Sequence, residues 1–131
     1  MTLPDVITRI GIAAALAVGG TSHAYLYIHG YRHIPTIGTA FIVQASVSFA
    51  LAALVLLGGP AWLQWAAAML AGGSLVAFAL SRTVGLFGFI ENGWEPSPYT
   101  WLTVCAEALT ILLVGAALIP RKLRSSAAVR S

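Results

Sequence analysis

Long apolar runs dominate the chain, and glycines, prolines and polar clusters separate them. Four of these runs have the length of about 20 residues that a helix needs to cross a hydrocarbon core of about 30 Å. They extend approximately over residues 10–28, 39–57, 61–80 and 100–119. Gly58, Gly59 and Pro60 separate the second run from the third, as expected where helices end. The pattern predicts an all-α fold, a transmembrane four-helix bundle.

Composition supports the membrane interpretation. Hydrophobic residues make up 59% of the 131 residues and charged residues only 8%, whereas a globular chain carries about 25% charged residues. A chain surrounded by lipid has little water-facing surface on which to place charge. We therefore expect a single membrane domain over residues 1–131, with the lipid bilayer as its solvent.

The basic residues indicate an orientation. Five of the seven lie on the side of the termini and two, Arg32 and Arg82, lie on the other side. Because cytoplasmic segments are enriched in Lys and Arg, both termini are predicted to be cytoplasmic. Four of the five lie in the tail 120–131: Arg121, Lys122, Arg124 and Arg130. A basic tail after an apolar run is typical of a membrane anchor, so nucleic acid is not an expected partner.

The first apolar run has a second interpretation, a cleaved signal peptide. Ser22 and Ala24 place small residues at the two positions that a signal peptidase reads. However, the residues before the run carry both Arg9 and Asp5, and the run continues beyond Ser22 as amphipathic aromatic sequence. We expect the segment to be retained. Cleavage before Tyr25 is the alternative and would leave three spans.

Small residues recur at a spacing of four within two of the runs. Gly11, Ala15 and Gly19 form one such stripe, and Ala68 and Gly72 form another. Helices in lipid associate through close backbone contact at such faces. The stripes therefore predict a compact bundle, although a chain rich in alanine also produces these spacings by chance.

Four polar residues are predicted to lie at membrane depth in the outer half of the bilayer. They are His23, Gln44, Arg82 and Glu107. An unpaired ionisable group in lipid costs several kcal/mol, so these positions indicate a binding or proton-handling pocket that opens outward. The structural alternative is an ion pair between Arg82 and Glu107, with His23 and Gln44 as hydrogen-bond partners, that only fixes the packing of the helices.

A metal site is one interpretation of His23, His29 and His33, which fall within eleven residues. Gly30 and Pro35 make the segment around the last two a predicted loop, and the spacing matches no recognised ligand pattern. Histidines at a wet interface are the favoured interpretation, and a transmembrane haem is less favoured still. The sequence requires no cofactor. The single cysteine, Cys105, is expected to be an inert packing residue because its surroundings are apolar.

The longest connection, residues 81–99, is unusually apolar between residues 85 and 89. We expect a short interfacial helix or a re-entrant turn there, capping the pocket. Glu91 and Glu95 are predicted to be solvated loop charges or partners of Arg32 or Arg82. An apolar cap would suit a partner subunit or a lipophilic ligand such as a quinone or a lipid.

Two segments carry a resemblance to a known group. HGYRHIPTIG before the second run and SRTVGLFGFIE after the third resemble segments of uncharacterised small four-span integral membrane proteins of actinobacterial type. The resemblance implies a multi-pass protein of a bacterial plasma membrane and implies no catalytic residues. Small multidrug transporters share the size and the number of spans, but their essential glutamate is in the first helix, whereas Glu107 is in the fourth.

Three functional hypotheses follow. The first is an accessory or structural subunit of a membrane assembly, because tight helices and no catalytic motif are all it requires. The second is a binding or proton-coupled transport protein for a small lipophilic ligand, which uses the polar pocket. The third is a metal- or quinone-dependent redox component. No motif favours an enzyme.

Overall fold

The computed structural model describes residues 2–91, 93 and 98–118. Four α-helices account for most of them: α1 (Leu3–Ile28), α2 (Ile37–Leu56), α3 (Trp62–Ser81) and α4 (Tyr99–Leu118). A short 3-10 helix, Tyr31–His33, lies between α1 and α2. Each α-helix is long and apolar enough to cross a membrane. The predicted all-α four-helix bundle is confirmed, and no strand occurs among the described residues.

The first helix begins at Leu3 rather than at Ile10, where the apolar run begins. Thr2 and Asp5 explain the earlier start, because the Thr2 hydroxyl accepts from the Asp5 amide and the Asp5 carboxylate accepts from the Thr2 amide. This capping box satisfies amides that otherwise have no partner at a helix start. The segment from Leu3 to Arg9 therefore extends α1 beyond the predicted span. The basic tail, on which the orientation depends, lies outside the described residues.

The helices close into a ring in which α1 packs against α2 and α4, and α3 packs against α4 and α2. One apolar core fills the half of the bundle that holds the termini. Its fully buried residues include Ile12, Val55 and Val114, one from each of three helices. At the same end, the Arg9 guanidinium donates to the Val55 carbonyl at 3.1 Å. A cation at a helix C-terminus is favourable because unpaired carbonyls point there.

The stripe of small residues on α1 is a packing face, as predicted. A Cβ on Gly11 would lie 3.2 Å from a methyl group of Leu113, and one on Gly19 would lie 3.9 Å from Ala106. Both neighbours belong to α4, and Ala15 is also buried. The stripe therefore allows α1 and α4 to approach closely.

The connection between α1 and α2 folds back onto the start of α2. A Cβ on Gly38 would lie 2.6 Å from the Tyr31 carbonyl oxygen and 2.8 Å from that of Arg32, closer than real Cβ atoms approach. Glycine at this position lets the 3-10 helix rest directly on α2. Tyr31 is thereby buried against Leu26 and Ile37. The segment predicted as a loop is thus an ordered wall at this end of the bundle.

Candidate functional site

A cavity of about 350 Å³ lies between α2 and α3. It is in the half of the bundle nearer to the connections 29–36 and 82–98, which we call the loop end. Most of its wall is apolar, with Phe41 from α2 and Leu70 and Phe78 from α3 among the larger side chains. Polar residues lie at its two ends. The apolar core fills the other half of the bundle, so the cavity and the core lie at opposite ends of the helices.

All four residues of the predicted pocket line this one cavity. His23 comes from α1, Gln44 from α2 and Glu107 from α4, while Arg82 directly follows α3. Four elements thus bring them together, as the depth of each residue along its helix predicts. Their role in binding a ligand stays a prediction.

The deep end of the cavity holds a cluster that we call the deep polar cluster: His23, Ser74, Thr103 and Glu107. Ser74 Oγ donates to Glu107 Oε1 at 2.5 Å, and His23 Nε2 lies 3.7 Å from the same oxygen. Glu107 is only 4% exposed. At 1.5 Å per residue, Ser74 and Glu107 lie roughly 10 Å and 12 Å from the loop ends of their helices. A carboxylate is therefore held well inside the span.

The orientation of His23 is set by a backbone carbonyl. Its Nδ1 lies 2.9 Å from the Gly19 oxygen. Since a carbonyl oxygen only accepts, Nδ1 carries the hydrogen, and Nε2 faces Glu107. The ring edge packs against Phe41, with ring centroids 5.1 Å apart. His23 is thus fixed from two sides with its second nitrogen aimed at the carboxylate.

Two oxygen atoms of the deep polar cluster are buried without a hydrogen-bond partner among the described residues. They are Glu107 Oε2 and Thr103 Oγ1. Both belong to residues of the cavity wall, and they stand one helical turn apart on α4. Leaving a buried polar group without a partner costs about 1–3 kcal/mol, so native proteins normally satisfy such atoms. A group that enters the cavity and donates hydrogen bonds would satisfy both.

The other end of the cavity is closed by a cluster that we call the loop-end latch: Tyr31, Arg82 and Glu91. Tyr31 donates to Glu91 Oε1 at 2.5 Å, and Arg82 Nη1 lies 3.1 Å from Glu91 Oε2. Burial, then the hydrogen bond to Glu91 and its charge, raise the pKa of the Tyr31 hydroxyl. The phenol therefore stays a neutral donor. The latch therefore links the connection between α1 and α2 to the connection between α3 and α4.

The contacts in the loop-end latch show which of the predicted ion pairs forms. Glu91 pairs with Arg82, one of the two partners predicted for it. The alternative pair of Arg82 with Glu107 is wrong, since Glu107 instead faces His23 and Ser74. Glu95 lies outside the described residues. The charges near the cavity thus form two separate groups, one at each end.

The predicted cap is a tight turn and not a short helix. Leu86 and Phe89 exchange backbone hydrogen bonds of 2.9 Å in each direction. Three residues of this segment, Gly85, Phe87 and Gly88, have positive φ angles, which glycine adopts without strain. Leu86 and Phe89 line the cavity. The turn therefore covers the loop end of the cavity with apolar side chains.

Part of the cavity wall is exposed on α2 and α3, and the predicted outward opening of the pocket stays a prediction. Met69, on the cavity wall, is 75% exposed. Gly73, one turn further along α3, and Ala40 on α2 are also exposed and line the cavity. Exposed faces in the middle of spanning helices contact lipid. In a membrane, this exposed part of the wall would face lipid.

The three histidines do not gather. His23 is buried in the deep polar cluster, whereas His29 is exposed and stacks on Tyr25 with ring centroids 3.9 Å apart. His33 is exposed and accepts from Arg32. Within the described part of the chain, no three His, Cys, Asp or Glu side chains are placed to hold one metal ion.

Two features differ from the sequence interpretation of single residues. Cys105 is exposed on α4, so its predicted role in packing is wrong. Ser74 was missed as a partner of Glu107. A signal for it existed, because Ser74 is the one polar residue between Gln64 and Ser81 in an otherwise apolar helix. Hydroxyl groups in such helices often donate to side chains of neighbouring helices.

Comparison with known proteins gives no match. No protein-family model matches the chain, and no curated protein or solved structure shows significant similarity to it. The cavity and its two polar ends are the features from which a function follows.

Proposed function

We propose that this membrane protein binds a small lipophilic molecule with a polar head group in the cavity between α2 and α3. The observation that carries the proposal is the position of the two unpartnered oxygen atoms, Glu107 Oε2 and Thr103 Oγ1, in the wall at the deep end of a mostly apolar cavity. An apolar pocket with a few convergent polar groups is the usual form of a small-molecule site.

The size and lining of the cavity define the ligand. A volume of about 350 Å³ is at the small end of the range of about 300–1,000 Å³ for ligand pockets. The walls around Phe41, Leu70 and Phe78 suit an aromatic or short alkyl body. The deep polar cluster suits one hydrogen-bonding head group. An amphipathic molecule of this kind partitions into the bilayer and reaches the cavity between the exposed parts of its wall on α2 and α3.

The proposed setting is a bacterial plasma membrane with both termini in the cytoplasm. The bias of five basic residues against two supports this orientation. The loop end then faces outward, and the cavity lies in the outer half of the bilayer. Ligands would enter from the outer leaflet.

Photolabelling tests the proposal. A benzyl alcohol that carries a diazirine ring is added to the protein in lipid nanodiscs and activated by light, and labelled residues are mapped by mass spectrometry. We expect labelling of Leu70 and Ser74, and we expect excess phenylbutanol to suppress it. Labelling restricted to lipid-facing residues, or unaffected by phenylbutanol, would contradict the proposal.

A matched pair of glycine variants controls for changes in lipid access. A Cβ on Gly73 or on Gly115 would meet no atom within 4 Å, but only Gly73 lines the cavity. Gly73→Phe places a ring on the exposed part of the cavity wall and should reduce labelling of Ser74. Gly115→Phe adds the same ring elsewhere and should leave that labelling unchanged. Equal labelling in both variants would argue against entry between α2 and α3.

A further inference from the structure

The charges on the cavity wall are unevenly balanced. Arg82 and Glu91 form an ion pair at the loop end, so each offsets the other. At the deep end stands one carboxylate, Glu107, and the titratable group that faces it is His23. The described parts of α2 and α3 add no titratable side chain to the wall. The deep end therefore has room for one positive charge that no fixed cation supplies.

His23 meets this need only when it binds an additional proton. Its Nδ1 hydrogen is directed to the Gly19 carbonyl, so the neutral ring presents the lone pair of Nε2 to Glu107. A lone pair facing a carboxylate oxygen at 3.7 Å is unfavourable. A proton on either residue removes the conflict. The pair consequently holds one exchangeable positive charge, which a proton supplies when the cavity has no ligand.

We infer that the ligand of the cavity is a lipophilic primary amine, bound as its ammonium ion in place of that proton. This inference rests on the proposed function and names the chemical class of its ligand. The ammonium group donates to Glu107 Oε2 and Thr103 Oγ1, the two buried oxygens that have no partner among the described residues. An ammonium has three donors and no acceptor, so it can donate both to the Glu107 carboxylate and to a lone pair of the Thr103 hydroxyl.

The other head groups fit less well. A carboxylate ligand would place a second negative charge beside Glu107 in a site removed from water, where like charges repel strongly. An alcohol can donate to Glu107 Oε2 and accept from the Thr103 hydroxyl, but it supplies no charge and so leaves the proton in place. A quaternary ammonium carries the charge but has no N–H group to donate. A primary amine alone combines the charge with several donors.

Charge balance at the site predicts that binding of the amine releases a proton, which can be measured. The amine enters as its ammonium ion, and the proton held between His23 and Glu107 leaves to bulk water. The net charge of the site is then unchanged, and no bond other than the N–H hydrogen bonds is formed. The groups that face this exchange are His23 from α1 and Glu107 from α4, with Tyr31, Arg82 and Glu91 at the far end. Binding of an amine should therefore release a proton.

Competition against the photoactivatable benzyl alcohol tests the inference with four probes of similar size. They are phenylbutylamine, phenylbutanol, phenylbutyrate and phenylbutyl-trimethylammonium. We expect phenylbutylamine to compete at least about tenfold more strongly than phenylbutanol, a difference of about 1.4 kcal/mol, and the other two to compete least. A pH dye in weakly buffered solution should show proton release with the amine and none with the alcohol.

Two variants test whether the preference for the amine depends on the oxygens of Glu107 and Thr103. Glu107→Gln keeps the shape of the side chain and removes its charge, so it should abolish both the preference for the amine and the proton release. The folding of this variant is checked by its helical circular dichroism and by its elution as a single peak in size-exclusion chromatography. Thr103→Val keeps the Glu107 charge and removes one of the two oxygens, so it should weaken amine competition while the proton release persists. If Glu107→Gln does not fold, amine competition that is unchanged in Thr103→Val would overturn the inference.

The outcomes separate the inference from the proposed function. Cavity labelling that all four probes suppress equally, or a preference for the amine that survives in Glu107→Gln, would overturn the inference and leave the proposed function intact. If the benzyl alcohol labels no cavity residue in the wild-type protein, the proposed function itself fails.

Discussion

The Nε2 atom of His23 on α1 lies 3.7 Å from Oε1 of Glu107 on α4, at the deep end of a cavity that α2 and α3 enclose. Ser74 on α3 donates to the same oxygen at 2.5 Å. Three helices therefore orient one carboxylate, and its second oxygen is buried without a hydrogen-bond partner among the described residues. Structural contacts hold one oxygen of Glu107, and the other is the oxygen that we propose as a partner of the ligand.

Replacing Ser74 tests whether its hydrogen bond to Glu107 stabilises the fold. Ser74→Ala removes a hydrogen bond to a carboxyl group, and bonds to charged groups contribute about 1.5–3 kcal/mol. We expect the free energy of unfolding in mixed detergent micelles to fall by about that amount. Ser46→Ala is the control, because the Ser46 hydroxyl is exposed and donates only to Ile42 within its own helix. An equal loss in both variants would show that Ser74 has no special role.

Gly38 tests how closely the first connection rests on α2. Gly38→Ala places a methyl group 2.6 Å from the Tyr31 carbonyl oxygen, so the backbone must move. Overpacking of this kind costs about 1–3 kcal/mol, and the melting temperature should fall. Gly73→Ala should have little effect, since a Cβ there meets no atom within 4 Å. A Gly38→Ala protein as stable as the wild type would contradict the close contact.

The loop-end latch predicts a local effect of Tyr31→Phe. This change removes the hydroxyl that donates to Glu91 at 2.5 Å and leaves the ring in place. Hydrogen exchange of the backbone amides between residues 84 and 91 should become faster, because the Glu91 carboxylate loses its hydrogen bond from Tyr31 and keeps only its ion pair with Arg82. Tyr27→Phe, on the half-buried face of α1, is the control and should leave these amides unchanged. If exchange is unchanged in Tyr31→Phe, the latch does not hold the cap.

The raised pKa of Tyr31 predicts a dependence on alkaline pH. Free tyrosine ionises near pH 10, and the neutral form of Tyr31 is favoured in the folded protein. The stabilisation is therefore fully present below the ordinary pKa of tyrosine and is lost as pH rises through the higher folded-state value. Ultraviolet titration should show a late-ionising tyrosine component that is larger in the wild type than in Tyr31→Phe. A late component of equal size in both proteins would assign the shift to another tyrosine.

The fold was predictable because helix length and hydrophobicity are properties of single segments. The convergence of His23, Gln44 and Glu107 was also accessible, since the rise per residue gives each depth. The pairing of Glu91 with Arg82 was one of two predicted alternatives, and the choice between them depends on backbone turns between residues 82 and 91 that no periodicity reveals. The size of the cavity depends on how far α2 stands from α3, a relationship between helices that a linear pattern does not contain.

The hypotheses of an accessory subunit and of a redox component stay predictions. A partner subunit would be detected by co-purification in mild detergent, and a redox cofactor by its absorbance or by elemental analysis. The cavity gives the binding hypothesis a location that neither of the others has.

The most direct test of ligand binding in the cavity is a crystal structure grown in a lipid mesophase with bromophenylbutanol. Bromine scatters anomalously, so its position is found independently of the protein density. We predict an anomalous peak between α2 and α3, near Phe41 and Leu70, with the alcohol group toward Glu107 Oε2. Anomalous peaks only on the lipid-facing surfaces of the helices, with none in the cavity, would contradict it.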